Sequence, residues 1–476
     1  MRTGVRKPSS WMKPSPLQPY QQRVISKIKD PSLPGLVVAH GTGTGKTRTS
    51  IEAAKQLGLP TNIIPPAALQ ANYKKEIQRW VGPQPKNWNI QSQQRVALNG
   101  LENNQRGLQI VDESHRARAD SSQLYKALAK APAKKRLLLS ATPIFNHPND
   151  LATLVNLAAN KQILPTDRAE FNKQFVTPVE KQPSLMQRLF GVKPGITYEL
   201  KNKDRLKKVL NRYVDYHGGS TEGFPSVKDE TIKVPMGDKQ MDVYSSIMGK
   251  APMWVKWKVK AGLPPGKGEF DSMRAFLSGA RQVSNTSSGF TTRPNDIQSA
   301  KIDAAFKNFQ KQQALNPRYK AVVYSNYLNS GLNQYKKLLE KQRIPYGEFS
   351  GAISPTVRNQ LVKDYNADKI RALLVSSAGS EGLDLKGTRM VQILEPHFNE
   401  EKEKQIIGRG ARYQSHAALP EAERNVLVQR YLAQPKPSFM DRLMGYGDIK
   451  GTDEYIRNMA LQKNELNRQM VALMQQ

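Results

Sequence analysis

Cysteine is absent from all 476 residues, which removes disulfides, cysteine-ligated zinc and thiol catalysis together. Acidic side chains are scarce beside basic ones: 40 Asp and Glu stand against 73 Lys and Arg, a formal net charge of +33. A field of that sign attracts polyanions and displaces counterions from a nucleic-acid backbone, although a chain can also be basic throughout without reading anything. The six histidines, at 40, 115, 147, 217, 397 and 416, are scattered without ligand-type pairing, so no structural metal site is expected. No apolar run approaches the length needed to span a membrane. The opening "MRTGVRKPSSWMKPSPLQPY" is basic but lacks the apolar core of a signal peptide. A soluble chain that is not secreted and has no membrane partner is expected, with two or three domains for its length.

What is present begins with "VVAHGTGTGKTRTS", Val37 to Ser50. A short apolar run breaks into a glycine turn and then a helix-like stretch, the order of a strand, a phosphate-cradling loop and a helix N-terminus. Gly43 and Gly45 let backbone N–H groups close on phosphate oxygens. Lys46 suits the β- and γ-phosphates, and the Thr47 hydroxyl suits Mg²⁺. The usual pattern has glycine at the place of His40. "IVDESH" puts Asp112 and Glu113 directly after another apolar run, one acid to hold Mg²⁺ and one to polarise the attacking water. Two acids after a strand also make an ordinary solvated turn.

Two segments alternate short Val/Ile/Leu runs with polar or glycine residues. The first holds "GLVVAH", "TNIIPP", "GLQIVDESH" and "RLLLSAT"; the second "KAVVYSN", "IPYGEFSG", "RALLVSSAGSEG" and "MVQILEPHFN". This pattern predicts parallel strands covered on both faces, with chemistry at their carboxyl ends. The expected division is an ATP-binding lobe at 1–160, a mixed helical and basic region at 161–294, a second lobe at 295–432, and a linker with a C-terminal helix at 433–476. "KNKDRLKKVLNRY" predicts a basic helix, and "LAQPKPSF" a linker. "MWVKWKVK" (253–260) reads either as a basic and aromatic nucleic-acid contact or as an amphipathic strand whose lysines face water. In the tail, Ile456, Met459, Leu466, Met470 and Leu473 form one apolar helical stripe.

"EPHFNEEKEKQIIGRGARY" carries the second half of the site. Asn399 suits a helix cap, with Glu400 and Glu401 in the first turn. Gln405, Arg409 and Arg412 fall at i, i+4 and i+7, on one predicted helical face. Two arginines so placed form an anion site and are candidate fingers for charge developing on a transferred phosphoryl group. Gly408 and Gly410 within that helix cost about 1 kcal/mol each against alanine, so a close approach to the backbone is expected. A basic solvated face explains the arginines without the glycines.

Taken in order, these stretches resemble the motifs of superfamily 2 helicases, and within them the Swi/Snf-type DNA-dependent ATPases of the compact branch found in large DNA viruses and phages. "LQPYQQ" is similar to the adenine-reading Q motif, with Gln21 as the contact; "GTGTGKT" to motif I; "IIPPAALQANYKKEI" to motif Ia; "DESH" to motif II; "SATPIFN" to motif III; "VVYSNY" to motif IV; "SSAGSEGLDL" to motif V; and "QIIGRGAR" to motif VI. The resemblance implies an α/β fold of two RecA-like P-loop lobes, each a parallel sheet flanked by helices, with ATP and Mg²⁺ as cofactors. It assigns catalysis to Lys46, Asp112, Glu113, Arg409 and Arg412, and nucleotide binding to Gln21, Gly43, Gly45, Lys46, Thr47, Asp112 and Gln405. His115, Ser140, Thr142, Gly382 and Asp384 take the role of coupling hydrolysis to lobe movement. The implied activity is ATP-driven movement along DNA, duplex favoured. The alternatives are an RNA helicase, or a basic nucleic-acid-binding virion protein with a vestigial ATPase fold. Viral or phage replication and transcription proteins are implied as partners, in the cytoplasm or a host-cell nucleic-acid compartment. Residues 78–111, between motifs Ia and II, are few for the family, which puts a strand usually found there in question.

Overall fold

The computed structural model describes residues 16–475 except 42, 104, 145–146, 190, 220–222, 267, 352, 377–384 and 444–448. The chain packs as two compact units. One comprises 1–176, 200–219 and 467–476, and the other 177–199 and 220–466. Residues 161–294, expected as a region of their own, are divided between the two.

The first unit is built on β1 (Gly35–His40), β2 (Thr61–Ile64), β3 (Trp88–Ile90), β4 (Gly107–Val111) and β5 (Ala133–Ser140). The chain then forms a separate two-stranded sheet from β6 (Val176–Lys181) and β7 (Gly195–Leu200), before β8 (Val214–His217) completes the first sheet. The strand order is β3-β2-β4-β5-β1-β8 and all pairs are parallel. β1, β2 and β4 are buried along their whole length, which is why their sequences do not alternate. The four strands expected from the apolar runs are all present. β3 settles the question over residues 78–111: the short segment keeps a strand, at the sheet edge.

The second unit holds β9 (Ser226–Pro235), β10 (Ala321–Ser325), β11 (Tyr346–Phe349), β12 (Ala372–Ser376), β13 (Met390–Ile393) and β14 (Asn425–Gln434), in the order β11-β12-β10-β13-β14-β9 and again parallel. Its two faces have separate cores. Val323, Leu374 and Met390 pack with Phe306, Phe309, Tyr335 and Leu339. The neighbouring Val322, Leu373, Val375, Val391 and Ile393 point the other way, onto Tyr365 and Ile406. Adjacent residues of one strand thus serve opposite layers, as the two-residue period of a strand requires.

β9 and β14 were not foreseen as strands, and β14 absorbs the first three residues of the expected linker "LAQPKPSF". The structure corrects the strand reading of "MWVKWKVK". The stretch lies in a helix, Met253–Ala261, with Val255, Trp257, Lys258 and Val259 buried. Lys258 is fully enclosed and paired with Glu269 at 2.5 Å, Lys260 reaches Asp441 at 2.5 Å, and Lys256 donates to the Gly249 carbonyl at 2.8 Å. Lys258 is thus enclosed, whereas Lys256 and Lys260 are half-buried and engaged with groups of the same unit.

The basic helix forms as Lys203–Tyr213, and the tail as Thr452–Gln475, with Ile456, Met459, Leu466, Met470 and Leu473 all buried.

Candidate nucleotide site

The phosphate loop links β1 to the helix Lys46–Leu57. Gly45 caps that helix in the left-handed conformation, φ 71°, and Gly43 has φ 77°. At Gly45 a Cβ would also lie 2.8 Å from Gln21 Nε2, so a side chain there meets both strain and a neighbour. No side chain caps the helix, which leaves its first N–H groups directed into the loop. Lys46 Nζ donates to the carbonyls of His40 and Gly41, each at 2.9 Å. Burial lowers the Lys46 ammonium below its ordinary range, and Glu113 and Asp112 act against that.

Gln21 stands where the sequence places it, with each end of its amide hydrogen-bonded to protein. Nε2 donates to the Thr44 carbonyl at 3.1 Å, and Oε1 accepts from the Gln18 backbone N–H at 2.9 Å. It therefore ties the helix Pro19–Lys29 to the phosphate loop.

Asp112 and Glu113 follow β4. Asp112 is buried, and burial together with the neighbouring Glu113 pushes its carboxyl up to about 6. Glu113 adopts φ 48°, a left-handed conformation that costs a non-glycine residue about 1–3 kcal/mol. The conformation carries its carboxylate to His115, with Oε2 3.3 Å from Nδ1, and that contact is the main reason its carboxyl lies below the ordinary range. The same His115 nitrogen is 3.3 Å from Ser140 Oγ, which accepts from the Thr142 N–H at 3.1 Å. One unit thus brings together Gln21, Gly43, Gly45, Lys46, Thr47, Asp112, Glu113, His115, Ser140 and Thr142.

The Thr47 hydroxyl and Asp112 carboxylate are oxygen donors beside the phosphate loop, and no cluster of three metal-binding side chains occurs among the described residues. That donor set fits Mg²⁺, which takes one or two protein oxygens and completes its shell with phosphate and water.

His40 explains the departure from the usual glycine. Its Nε2 donates to Asp215 Oδ1 at 2.7 Å, and Asp215 also meets Arg23 Nε at 2.7 Å and Lys27 Nζ at 3.1 Å. Burial would raise the Asp215 carboxyl, but these partners hold it far below its ordinary value. Asp215 lies on β8, and nothing in "VDYH" signals it. The hint was at the other end, where a bulky ring in a glycine position needs a place to go.

In the second unit the helix Glu400–Gly410 carries Gln405 exposed and Arg409 half-buried. Arg412 corrects the expected spacing. The helix stops at Gly410, and Arg412 sits in the following turn, its N–H donating to Ser415 Oγ at 3.1 Å. The glycine argument holds at one position only. A Cβ on Gly410 would come within 3.0 Å of Thr388 Cγ2, whereas Gly408 has open space. The helix is anchored through Glu403, which pairs with Arg430 and accepts from the His397 N–H at 2.7 Å. Gly382 and Asp384 lie outside the described residues.

Three family models match along the chain. They are the SNF2-related domain over residues 89–288, the helicase conserved C-terminal domain over 300–414, and the type III restriction enzyme res subunit over 15–145. A putative ATP-dependent RNA helicase of Acanthamoeba polyphaga mimivirus is 32% identical over 463 residues, covering 94% of this chain and 94% of its own length. A termination factor NPH-I homolog of African swine fever virus is 22% identical over 569 residues, 95% of this chain and 78% of that protein. The Pyrococcus furiosus Hef helicase domain aligns with 90% of this chain and 98% of its own at 12% identity, with a TM-score of 0.49. The matched domains and the mimiviral relative, shared nearly end to end, make this chain a member of the Swi/Snf-type superfamily 2 helicases, an ATP-hydrolysing family, beside the helicases of large DNA viruses.

Proposed function

We propose that the protein is an ATP-driven motor on DNA, duplex favoured. The observation that carries this reading is the first unit's constellation. Lys46 is held at the mouth of a phosphate loop against two acids, one buried and one strained toward His115. In this reading Lys46 and the loop N–H groups hold the phosphates, and Thr47 and Asp112 hold Mg²⁺, which supplies charge neutralisation when bound. Glu113, kept ionised by His115, takes the proton of the attacking water. Arg409 and Arg412 of the second unit act on the charge that develops at the γ-phosphate, with Gln405 as a nucleotide contact. Ser140, Thr142 and His115 report the state of the phosphate to the rest of the protein, together with Gly382 and Asp384. If nucleic-acid contacts differ between the ATP-bound and ATP-free states, each cycle becomes a step.

The net charge of +33 supports a polyanionic track. An RNA track is the second reading, favoured by the name of the mimiviral relative. A vestigial ATPase fits poorly with the intact Lys46, Asp112 and Glu113. The deciding experiment compares ATP hydrolysis with duplex DNA, single-stranded DNA and RNA at equal nucleotide concentration. Stimulation by duplex DNA above the other two is expected. Stimulation by RNA alone would transfer the motor to RNA.

A further inference from the structure

One fully buried side chain beside the nucleotide site takes no part in the proposed phosphate, water or magnesium contacts. The helix Gln70–Trp80 turns Tyr73 and Ile77 inward, and Tyr73 is completely enclosed. Its ring fills core space that phenylalanine would fill equally well. Its hydroxyl is different, because that oxygen meets no hydrogen-bond partner in good geometry and yet faces Thr47, Ser50 and Asp112. A buried phenol O–H normally finds a partner, and leaving one unmade costs about 1–3 kcal/mol. A hydroxyl kept at that cost, among the two candidate magnesium ligands, calls for a use.

The neighbours narrow what the use is. Ser50 Oγ gives its proton to the Thr47 carbonyl at 2.8 Å and so has none to offer Tyr73. Asp112 Oδ1 accepts from the Glu113 N–H at 3.0 Å, which leaves its second oxygen. A phenol, with an ordinary value near 10, carries its proton at neutral pH. A protonated phenol both donates and accepts. A threonine hydroxyl that ligates a cation must turn its lone pair toward the metal and its proton away, onto an acceptor. A carboxylate ligand must be held in plane, with one lone pair free for the metal shell.

We propose that Tyr73 is a positioning residue for the nucleotide's divalent cation, its phenol oxygen accepting the Thr47 hydroxyl proton while its own proton goes to the free oxygen of Asp112. The inference rests on the reading of Thr47 and Asp112 as magnesium ligands. One hydroxyl then sets both ligand side chains at once, and small rotations of Thr47 and Asp112 on nucleotide binding supply the partners it lacks. Outer-shell hydrogen bonds of this kind tune metal affinity by about 10–100-fold where they have been removed.

The test is Tyr73→Phe, which keeps the ring and removes only the oxygen. Binding of a fluorescent non-hydrolysable ATP analogue is measured with saturating Mg²⁺ and again with EDTA, alongside the urea midpoint of unfolding. In the parental protein Mg²⁺ tightens binding. In the variant that metal-dependent gain should shrink about 10-fold, with affinity in EDTA preserved and the unfolding midpoint no lower. In an Asp112→Asn background the same Tyr73→Phe change should have no further effect on the gain, because the two act as one unit. A gain equal to the parental one overturns the inference. So does a loss of equal size in Mg²⁺ and EDTA, which would mark Tyr73 as packing alone. Absence of any nucleotide binding by the parental protein would instead remove the ATP-site reading on which the inference stands.

Discussion

The Ser140 hydroxyl lies 3.3 Å from His115 Nδ1, joining the end of β5 to the turn that follows β4. The same nitrogen is 3.3 Å from the Glu113 carboxylate. Two adjacent parallel strands are thus linked at their carboxyl ends by one imidazole, and the strained residue between them is the proposed base. His115→Ala should release Glu113 and lower kcat by about 10-fold to 100-fold, with KM for ATP little changed. Ser140→Ala removes one of the two contacts and should cost less. Steady-state hydrolysis with nucleic acid present measures both. Equal rates for the parental protein and His115→Ala would detach the imidazole from the base.

Glu113→Gln preserves shape and removes the proposed acceptor of the water's proton. ATP binding should survive, and turnover should fall by about 10²–10⁴. Equilibrium binding and steady-state hydrolysis, measured on one preparation, separate the two. Hydrolysis near the parental rate would exclude Glu113 as base.

Asp215 gives a prediction in stability rather than rate. Its carboxyl lies far below the ordinary value in the folded chain because His40, Arg23 and Lys27 surround it. A depressed carboxyl stabilises the fold above its unfolded value, near 4, and that contribution drains away as pH falls toward the folded value. Breaking a buried pair costs about 3–5 kcal/mol. Arg23 and Lys27 remain partly in water, so about 2 kcal/mol is expected for Asp215→Asn at pH 7. Urea midpoints for the two proteins should differ most above pH 5 and converge below pH 4. A pH-independent difference would mean that packing, not charge, is lost.

The strands of both sheets were legible where burial on two faces forces continuous apolar runs, as in "GLVVAH" and "RALLVS". They were illegible where a strand is half-polar. β9 reads "SVKDETIKVP", with exposed positions along most of its length, and its pairing with β14 is a long-range fact that no window contains. The same limit hid Asp215 from His40, 175 residues apart. In "MWVKWKVK" the lysines read as surface because charge normally is surface. Lys258 is enclosed only because Glu269 comes back to meet it. The acids and the phosphate-loop lysine were legible because their chemistry is local: each follows its strand directly. Arg412 departs from the i+7 position because the helix stops at Gly410, and no signal in "IIGRGARY" marks that end.

Variants of Arg409 and Arg412 test the proposed division between transition-state charge and ground-state binding. Arg409 is in the last turn of its helix and Arg412 in the turn beyond, so they leave the backbone in different ways and need not be equivalent. If both act on the γ-phosphate only as charge develops there, alanine at either position should lower kcat far more than it weakens ATP binding. An arginine finger is worth about 10³–10⁵ in rate, so a loss of at least about 10³ is expected at the stronger of the two. Lys46→Ala should damage binding and turnover together, if the phosphate loop holds the ground state as proposed. Lysine at 409 or 412 should rescue poorly, because an ammonium lacks the planar fork of donors. The measurement is single-turnover hydrolysis beside equilibrium binding, with and without duplex DNA. Parental rates in both alanine variants with DNA present would leave that helix and turn as structural or DNA-facing elements, and the motor would need another source for the charge at its transition state.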